Sequence, residues 1–219
     1  MNDGEHPDQR VGIPYWDWTK DNEIPGFATQ GPWQRAHLNG ENQDPTHRDF
    51  NVLDSEMLAG RIKTAFEQDT TLEFNRHINL PHGQVHDFIN GTMGAVPTAS
   101  YDPIFYLHHS YVDLQYAYWQ ELQKLRNITV EFNSDNGDSP MQPFASPEVN
   151  AFAETLLHST ANSGLQYEEN FHYKYDQLLF QGKTPYEFHV DETATAGTKE
   201  QFFAGFSIKD MTVTSKIFF

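Results

Sequence analysis

A mainly α-helical fold is what this sequence predicts, with a β region opening at its C-terminal end. Three observations carry the prediction. Apolar residues recur at helical spacing through residues 54–67, 71–89 and 103–125. Proline, glycine, asparagine and aspartate punctuate the chain between those stretches. Near residue 200 the period changes, and Gln201–Ile208 and Met211–Phe219 read as strands.

The elements follow in order. Residues 1–53 are dense in turn formers and read as mostly loop, anchored by Ile13-Pro14-Tyr15-Trp16-Asp17-Trp18. Three aromatics in four residues read there as core packing. Residues 54–67 form a helix that Asp54 or Ser55 can cap, with Met57, Leu58, Ile62 and Phe66 on one face. Residues 71–89 are helical but contain Pro81, which either kinks the helix or stands in the first turn of one that begins there. Residues 103–125 form the third helix, opened by Asp102-Pro103 and closed near Lys124-Leu125-Arg126, where cations suit the helix dipole. Residues 130–145 form a polar loop, Ser146-Pro147-Glu148 starts a helix running to about His158, and Thr184-Pro185-Tyr186-Glu187 is a capping-box start. We expect a helical domain over residues 1–180 and the start of a β domain over 181–219.

Bulk composition narrows the function. A formal charge of −17 disfavours nucleic acid and anionic membrane surfaces as partners. No stretch reaches the roughly 20 apolar residues of a membrane span. The absence of cysteine removes disulfides, thiolate nucleophiles and cysteine-based metal sites together. The N-terminus has neither a basic start nor an apolar run, so it does not read as a signal peptide. Two glycosylation sequons, at Asn90 and Asn127, are compatible with secretion.

The chemistry lies in the histidines. His82 and His86 are one helical turn apart, so their rings point the same way. Neutral imidazole is a ligand for copper, zinc, iron or nickel. Gly83 after the first histidine excludes the zinc-protease motif, which needs glutamate there. His108 and His109 diverge by about 100° on the third helix, so one of them is expected to face the same metal. His109 shares a face with Phe105 and Asp113, and Asp113 could orient a histidine from behind. His108 would then be packed behind the ligands. Spacing alone does not decide between the two.

Taken together, these residues resemble the type-3 copper family of hemocyanins, tyrosinases and catechol oxidases. The stretch from His82 to Asp113 is similar to the family's second copper segment, His-x3-His, then Asp-Pro-Ile-Phe, then His-His-x3-Asp. Pro14-Tyr15-Trp16-Asp17-Trp18 resembles the motif that follows the first copper segment. Trp119–Arg126, Pro140–Phe144, Asn170–Asp176 and Phe203–Phe206 look most like a molluscan hemocyanin functional unit.

The resemblance implies that His82, His86 and His109 hold the second copper, with His108, Asp113 and Phe105 around them. It implies O₂ as partner, bound as peroxide between two coppers, and an oxygen carrier rather than an enzyme. It also implies an oligomer or larger assembly, an extracellular place in hemolymph, and a C-terminal β-sandwich. Only His6 precedes the Pro-Tyr-Trp-Asp-Trp motif, where the family has three histidines for its first copper. The expectation is therefore one copper from this chain, with ligands for a second supplied from elsewhere. The alternatives are a phenol or catechol oxidase, and a metal-poor structural or storage derivative of the same fold. A zinc-only site is chemically open as well.

Overall fold

The structure is a computed structural model and describes residues 12–30, 48–132, 160–175, 178–180, 182–185 and 216–218. The expected helix over 146–158, the strand over 201–208 and most of the strand over 211–219 lie outside the described residues.

Three helices form the body. Helix α1 spans Ser55–Phe66, and the Asp54 carboxylate caps it by accepting from the Met57 amide at 2.9 Å. Its buried face is Leu58, Ala59, Ile62, Ala65 and Phe66. Met57 lies on the outer face, 39 % exposed, and so parts from Leu58, Ile62 and Phe66, with which its spacing grouped it. The residue is in the first turn, 100° off Leu58, and the stripe starts one position later.

Helix α2 spans Thr71–Ile89, capped by the Thr70 hydroxyl. It runs through Pro81, so the reading in which a helix begins at that proline does not hold. Pro81 takes a buried position alongside Phe74, Ile78, Val85 and Phe88. Burying its ring with these side chains offsets the one helical hydrogen bond that proline cannot donate. The helix ends at Asn90, whose φ of 51° turns the chain away while its amide bonds the His86 carbonyl at 2.8 Å.

Helix α3 spans Ile104–Leu125 and is the most deeply buried element. At its start the Asp102 carboxylate accepts from the Ile104 amide at 2.9 Å. The same carboxylate holds Arg48 in a two-pronged ion pair, Nε at 2.8 Å and Nη2 at 2.6 Å. Arg48 also donates to the Ala28 carbonyl at 3.0 Å. The other end of α3 is tied to the α1–α2 connection. Trp119 and Gln123 donate to the Gln68 carbonyl at 2.8 and 3.1 Å, and Arg126 donates to the Phe66 carbonyl at 3.0 Å. Phe66, Phe74, Tyr118, Trp119 and Phe180 stack or meet edge-on between the helices. Rings thus carry much of the packing between the helices, beside the aliphatic side chains of the core.

Strand β1 (Gly12–Pro14), the short helix α4 (Tyr167–Asn170), strand β2 (Lys174–Tyr175), strand β3 (Lys216–Phe218) and the 3-10 turns Gly26–Thr29, Ala99–Tyr101 and Asn162–Gln166 complete the described elements. The sheet is antiparallel in the order β1-β3-β2, with Ile13 opposite Ile217 and Tyr175 opposite Ile217. Residues 216–218, near the end of the chain, therefore lie between a strand from near its beginning and one about 40 residues before them. Among the described residues no helix is long and apolar enough to cross a membrane.

Candidate metal centre

Helices α2 and α3 bring four imidazoles into one cluster. One ligand atom from each of His82, His86, His108 and His109 lies within 4.8 Å of the others. Among the described residues this is the sole such group of histidine, aspartate or glutamate. His82 and His86 lie one turn apart on α2, with ring centres 5.0 Å apart. His109 reaches across from α3, and its Nε2 lies 3.2 Å from Nε2 of His86. Two imidazole nitrogens at that spacing, each about 2.05 Å from one ion, subtend an angle of about 103°, between square and tetrahedral. The pair is therefore already at ligand spacing.

Each ring has a different second contact. His86 Nδ1 lies 2.9 Å from the Met93 carbonyl, which fixes its hydrogen on Nδ1 and leaves Nε2 bare toward the cluster. The turn that follows α2 supplies that carbonyl, and its Met93 amide bonds back to the Asn90 carbonyl at 3.0 Å. His82 Nε2 is buried with no hydrogen-bond partner among the described residues. A buried, unpaired nitrogen facing other imidazoles is what a cation would satisfy. The donor set and this orphaned atom fit copper, and they fit zinc equally well.

Electrostatics favour the ligand form. Burial lowers the His109 pKa to about 4, with His82 and His86 adding to the effect. Burial, then His86, lowers that of His82. His108 is fully buried and is pushed well below the ordinary histidine range, first by burial and then by the other three rings, with the His82 backbone opposing. A second positive charge in this cluster meets its neighbours in a poorly solvated space. Neutral rings are the form that binds metal, so protons compete weakly here.

The supporting residues differ from the expectation in three respects. His108 is not turned out of the cluster by its 100° offset. Its ring stacks on His82 at 5.2 Å with an interplanar angle of 6°. It is held there by Trp18, whose indole N–H donates to His108 Nδ1 at 3.0 Å. Secondly, Asp113 orients no histidine ring by hydrogen bond among the described residues. Its Oδ2 accepts from Tyr173 at 2.8 Å and from Tyr175. Burial holds its carboxyl above the usual range, the Tyr175 and Tyr173 hydroxyls opposing. The reason is geometric: Asp113 lies one turn beyond His109, and the 173–175 segment packs over that turn. Thirdly, the aromatic segment before α1 does more than fill the core. Its Trp16 amide bonds the Leu107 carbonyl at 3.1 Å, and its Thr19 hydroxyl lies 3.0 Å from Tyr111.

The Phe105 ring centre lies 4.0 Å from that of His109 and 6.0 Å from that of His86. Asn90 and Asn127 are both exposed, each at a positive φ that ends a helix. Sequence reasoning missed Arg48, Met93, Tyr173 and Tyr175. Met93 acts through a backbone carbonyl, which no residue type signals. The others act across distances in the chain that local spacing cannot bridge.

Comparison with known proteins places this geometry. The common central domain of tyrosinase matches residues 33–122. Hemocyanin G-type, units Oda to Odg, of Enteroctopus dofleini is 29 % identical over 94 % of this chain, which spans 8 % of that protein. Hemocyanin type 2 unit e of Rapana venosa is 31 % identical over 95 % of this chain, which spans 58 % of it. In three dimensions the chain is similar to a functional unit of octopus hemocyanin, with TM-score 0.72 and 32 % identity, covering 84 % of this chain and 50 % of that one. It is similar also to deoxygenated hemocyanin of Rapana thomasiana, with TM-score 0.73 and 29 % identity, covering 84 % of this chain and 52 % of that one. The chain thus spans about half the length of the solved hemocyanin chains it matches.

Proposed function

We propose, from the premise that the chain is of the molluscan hemocyanin type and carries the central domain of the tyrosinase family, that it holds one copper of an oxygen-carrying pair through His82, His86 and His109. The single observation that carries this reading is the 3.2 Å approach of His86 Nε2 to His109 Nε2, beside the orphaned Nε2 of His82. Copper, when bound, supplies the electrons that reversible O₂ binding requires.

The chain's own residues do the rest. Met93 holds the His86 hydrogen on Nδ1 and so presents the bare Nε2. Phe105 packs on the rings of His109 and His86 and keeps water from that side. Burial and mutual repulsion keep His82 and His109 neutral at physiological pH. A second copper needs ligands that the described residues do not offer, so O₂ carriage depends on histidines from outside this cluster. The hemocyanin relatives support an extracellular setting and a larger assembly, and the exposed sequons at Asn90 and Asn127 are where sugars would attach.

Copper analysis and affinity measurement test the reading. About one copper per chain is expected, with binding lost in His82→Ala, His86→Ala and His109→Ala variants that keep their helical circular dichroism. Full binding by these variants would refute the site. A folded wild type with far less than one copper would favour the metal-poor derivative.

One observation favours a second reading, a phenol oxidase. A Cβ built at Gly83, next to His82, meets nothing within 4 Å, so that corner is open. Diphenol turnover above that of free copper would support it, and Gly83→Phe should then slow turnover while leaving copper content unchanged.

A further inference from the structure

We infer that Trp18 decides which histidine of the His108-His109 step stays out of the metal's coordination, by holding the His108 hydrogen on Nε2. The inference rests on the proposed metal site for its consequence, but not for its premise. An indole N–H can only donate. Trp18 Nε1 lies 3.0 Å from His108 Nδ1, so Nδ1 must offer its lone pair to that N–H. A neutral imidazole has one hydrogen, and it must then sit on Nε2. That atom is buried and has no hydrogen-bond partner of good geometry among the described residues. A nitrogen that carries a hydrogen cannot bind a cation. His108 is therefore inside the cluster by position and excluded from it by chemistry.

The rest of the geometry makes Trp18 a fixed donor. Trp18 is fully buried. Its ring meets Tyr111 edge-on at 4.9 Å, and its carbonyl accepts from the Ser55 hydroxyl at 2.9 Å. Trp16, two residues earlier, is tied to the Leu107 carbonyl immediately before His108. The segment is thus clamped to α3 on both sides of the indole. His86 shows the opposite arrangement. There a carbonyl at Nδ1 takes the hydrogen and frees Nε2. One donor and one acceptor, placed behind two neighbouring rings, assign one as ligand and the other as bystander. Trp18 is a positioning residue in this scheme and touches no metal itself.

The test has two arms on the full-length chain. In metal-free protein, ¹⁵N NMR of the imidazoles reports which nitrogen carries the hydrogen. His108 should be in the Nε2–H form. Replacing Trp18 by its benzothiophene analogue keeps the ring shape and removes only the N–H. The Nδ1–H share of His108 should then rise roughly 2- to 13-fold, the ratio that one hydrogen bond between neutral partners supplies.

In the second arm copper(II) is added and the bound imidazole nitrogens are counted by electron paramagnetic resonance. Three are expected in wild type and a fourth in the analogue. Wild-type His108 found in the Nδ1–H form, or four nitrogens on wild-type copper, would overturn the inference. An analogue that fails to fold leaves the wild-type tautomer and nitrogen count to decide it. Absence of copper binding with the Nε2–H form present would overturn the metal site and leave the tautomer lock standing.

Discussion

Replacing Arg48 with methionine should be among the most damaging single changes outside the histidines. The guanidinium and the Asp102 carboxylate are 5 % and 0 % exposed, and they meet at 2.6 Å. Methionine keeps most of the side-chain volume but leaves a buried carboxylate without its cation. Removing one member of such a pair costs about 3–5 kcal/mol. Total stability of a domain is about 5–15 kcal/mol, so a large part of it is at stake. The assay is urea unfolding followed by tryptophan fluorescence and far-UV circular dichroism, whose coincidence checks two-state behaviour. With a slope of about 3 kcal/mol per molar, the midpoint should fall by about 1 to 1.7 M. The double variant Arg48→Met/Asp102→Leu should recover most of this. It should stay short of wild type by about 1 kcal/mol, because the Ile104 amide loses its acceptor. Copper affinity should follow the same order, since α3 begins at this pair and carries His109 little more than one turn further on. A midpoint shift below about 0.3 M in the single variant would refute the reasoning. The pair would then be worth no more than an exposed one.

Three further outcomes are expected. The metal-free protein should lose stability as pH falls from about 6.5 toward 4. His109, with a folded pKa of about 4 and with His82, His86, His108 and Phe105 around it, stays neutral while its unfolded form gains a proton. Thermal midpoints across that window check this, and His109→Gln should flatten the slope; identical slopes would contradict it. Asp113→Ala should cost about 1–3 kcal/mol by removing the carboxylate that accepts from the Tyr173 and Tyr175 hydroxyls, read by urea unfolding, while copper content stays the same if Asp113 serves the sheet side and not the histidines. Gly94→Ala should weaken copper binding more than its stability loss suggests. Its Cβ would fall 2.6 Å from Asn90 Oδ1 and 3.2 Å from Asn90 Cα, displacing the turn whose Met93 carbonyl orients His86; unchanged affinity by calorimetry would count against that turn as a support.

The helices were legible because each has a local signal. Leu58, Ile62 and Phe66 repeat at the helical period, Asp54 caps α1, and Asp102-Pro103 opens α3. The histidine pair was legible for the same reason, since one turn of helix aligns His82 with His86. The supports of the site were not, because each is a meeting of distant segments. Trp18 reaches His108 across 90 positions, Arg48 reaches Asp102 across 54, and Tyr173 and Tyr175 reach Asp113 across 60 and 62. Helical faces could not settle His108 against His109 because both rings enter the cluster. The difference between them lies in which atom sits behind each ring, and that atom belongs to another part of the chain.

Trp16 and Trp18 show why a packing motif can hold chemistry that its composition hides. Both are almost fully buried, at 1 % and 0 % exposure, so hydrophobic burial treats them alike. Phenylalanine would satisfy burial at either position with one fewer polar atom. Trp16 Nε1 has no hydrogen-bond partner among the described residues, which costs about 1–3 kcal/mol relative to a paired N–H. Packing alone therefore argues against an indole at Trp16 as the structure stands. At Trp18 the N–H is paired, and its partner is the one imidazole of the four that stands directly beside the proposed ligand His109 in sequence without being assigned to the metal itself. A donor at that point does what neither burial nor helix geometry can do: it makes two adjacent, equally reachable histidines chemically different.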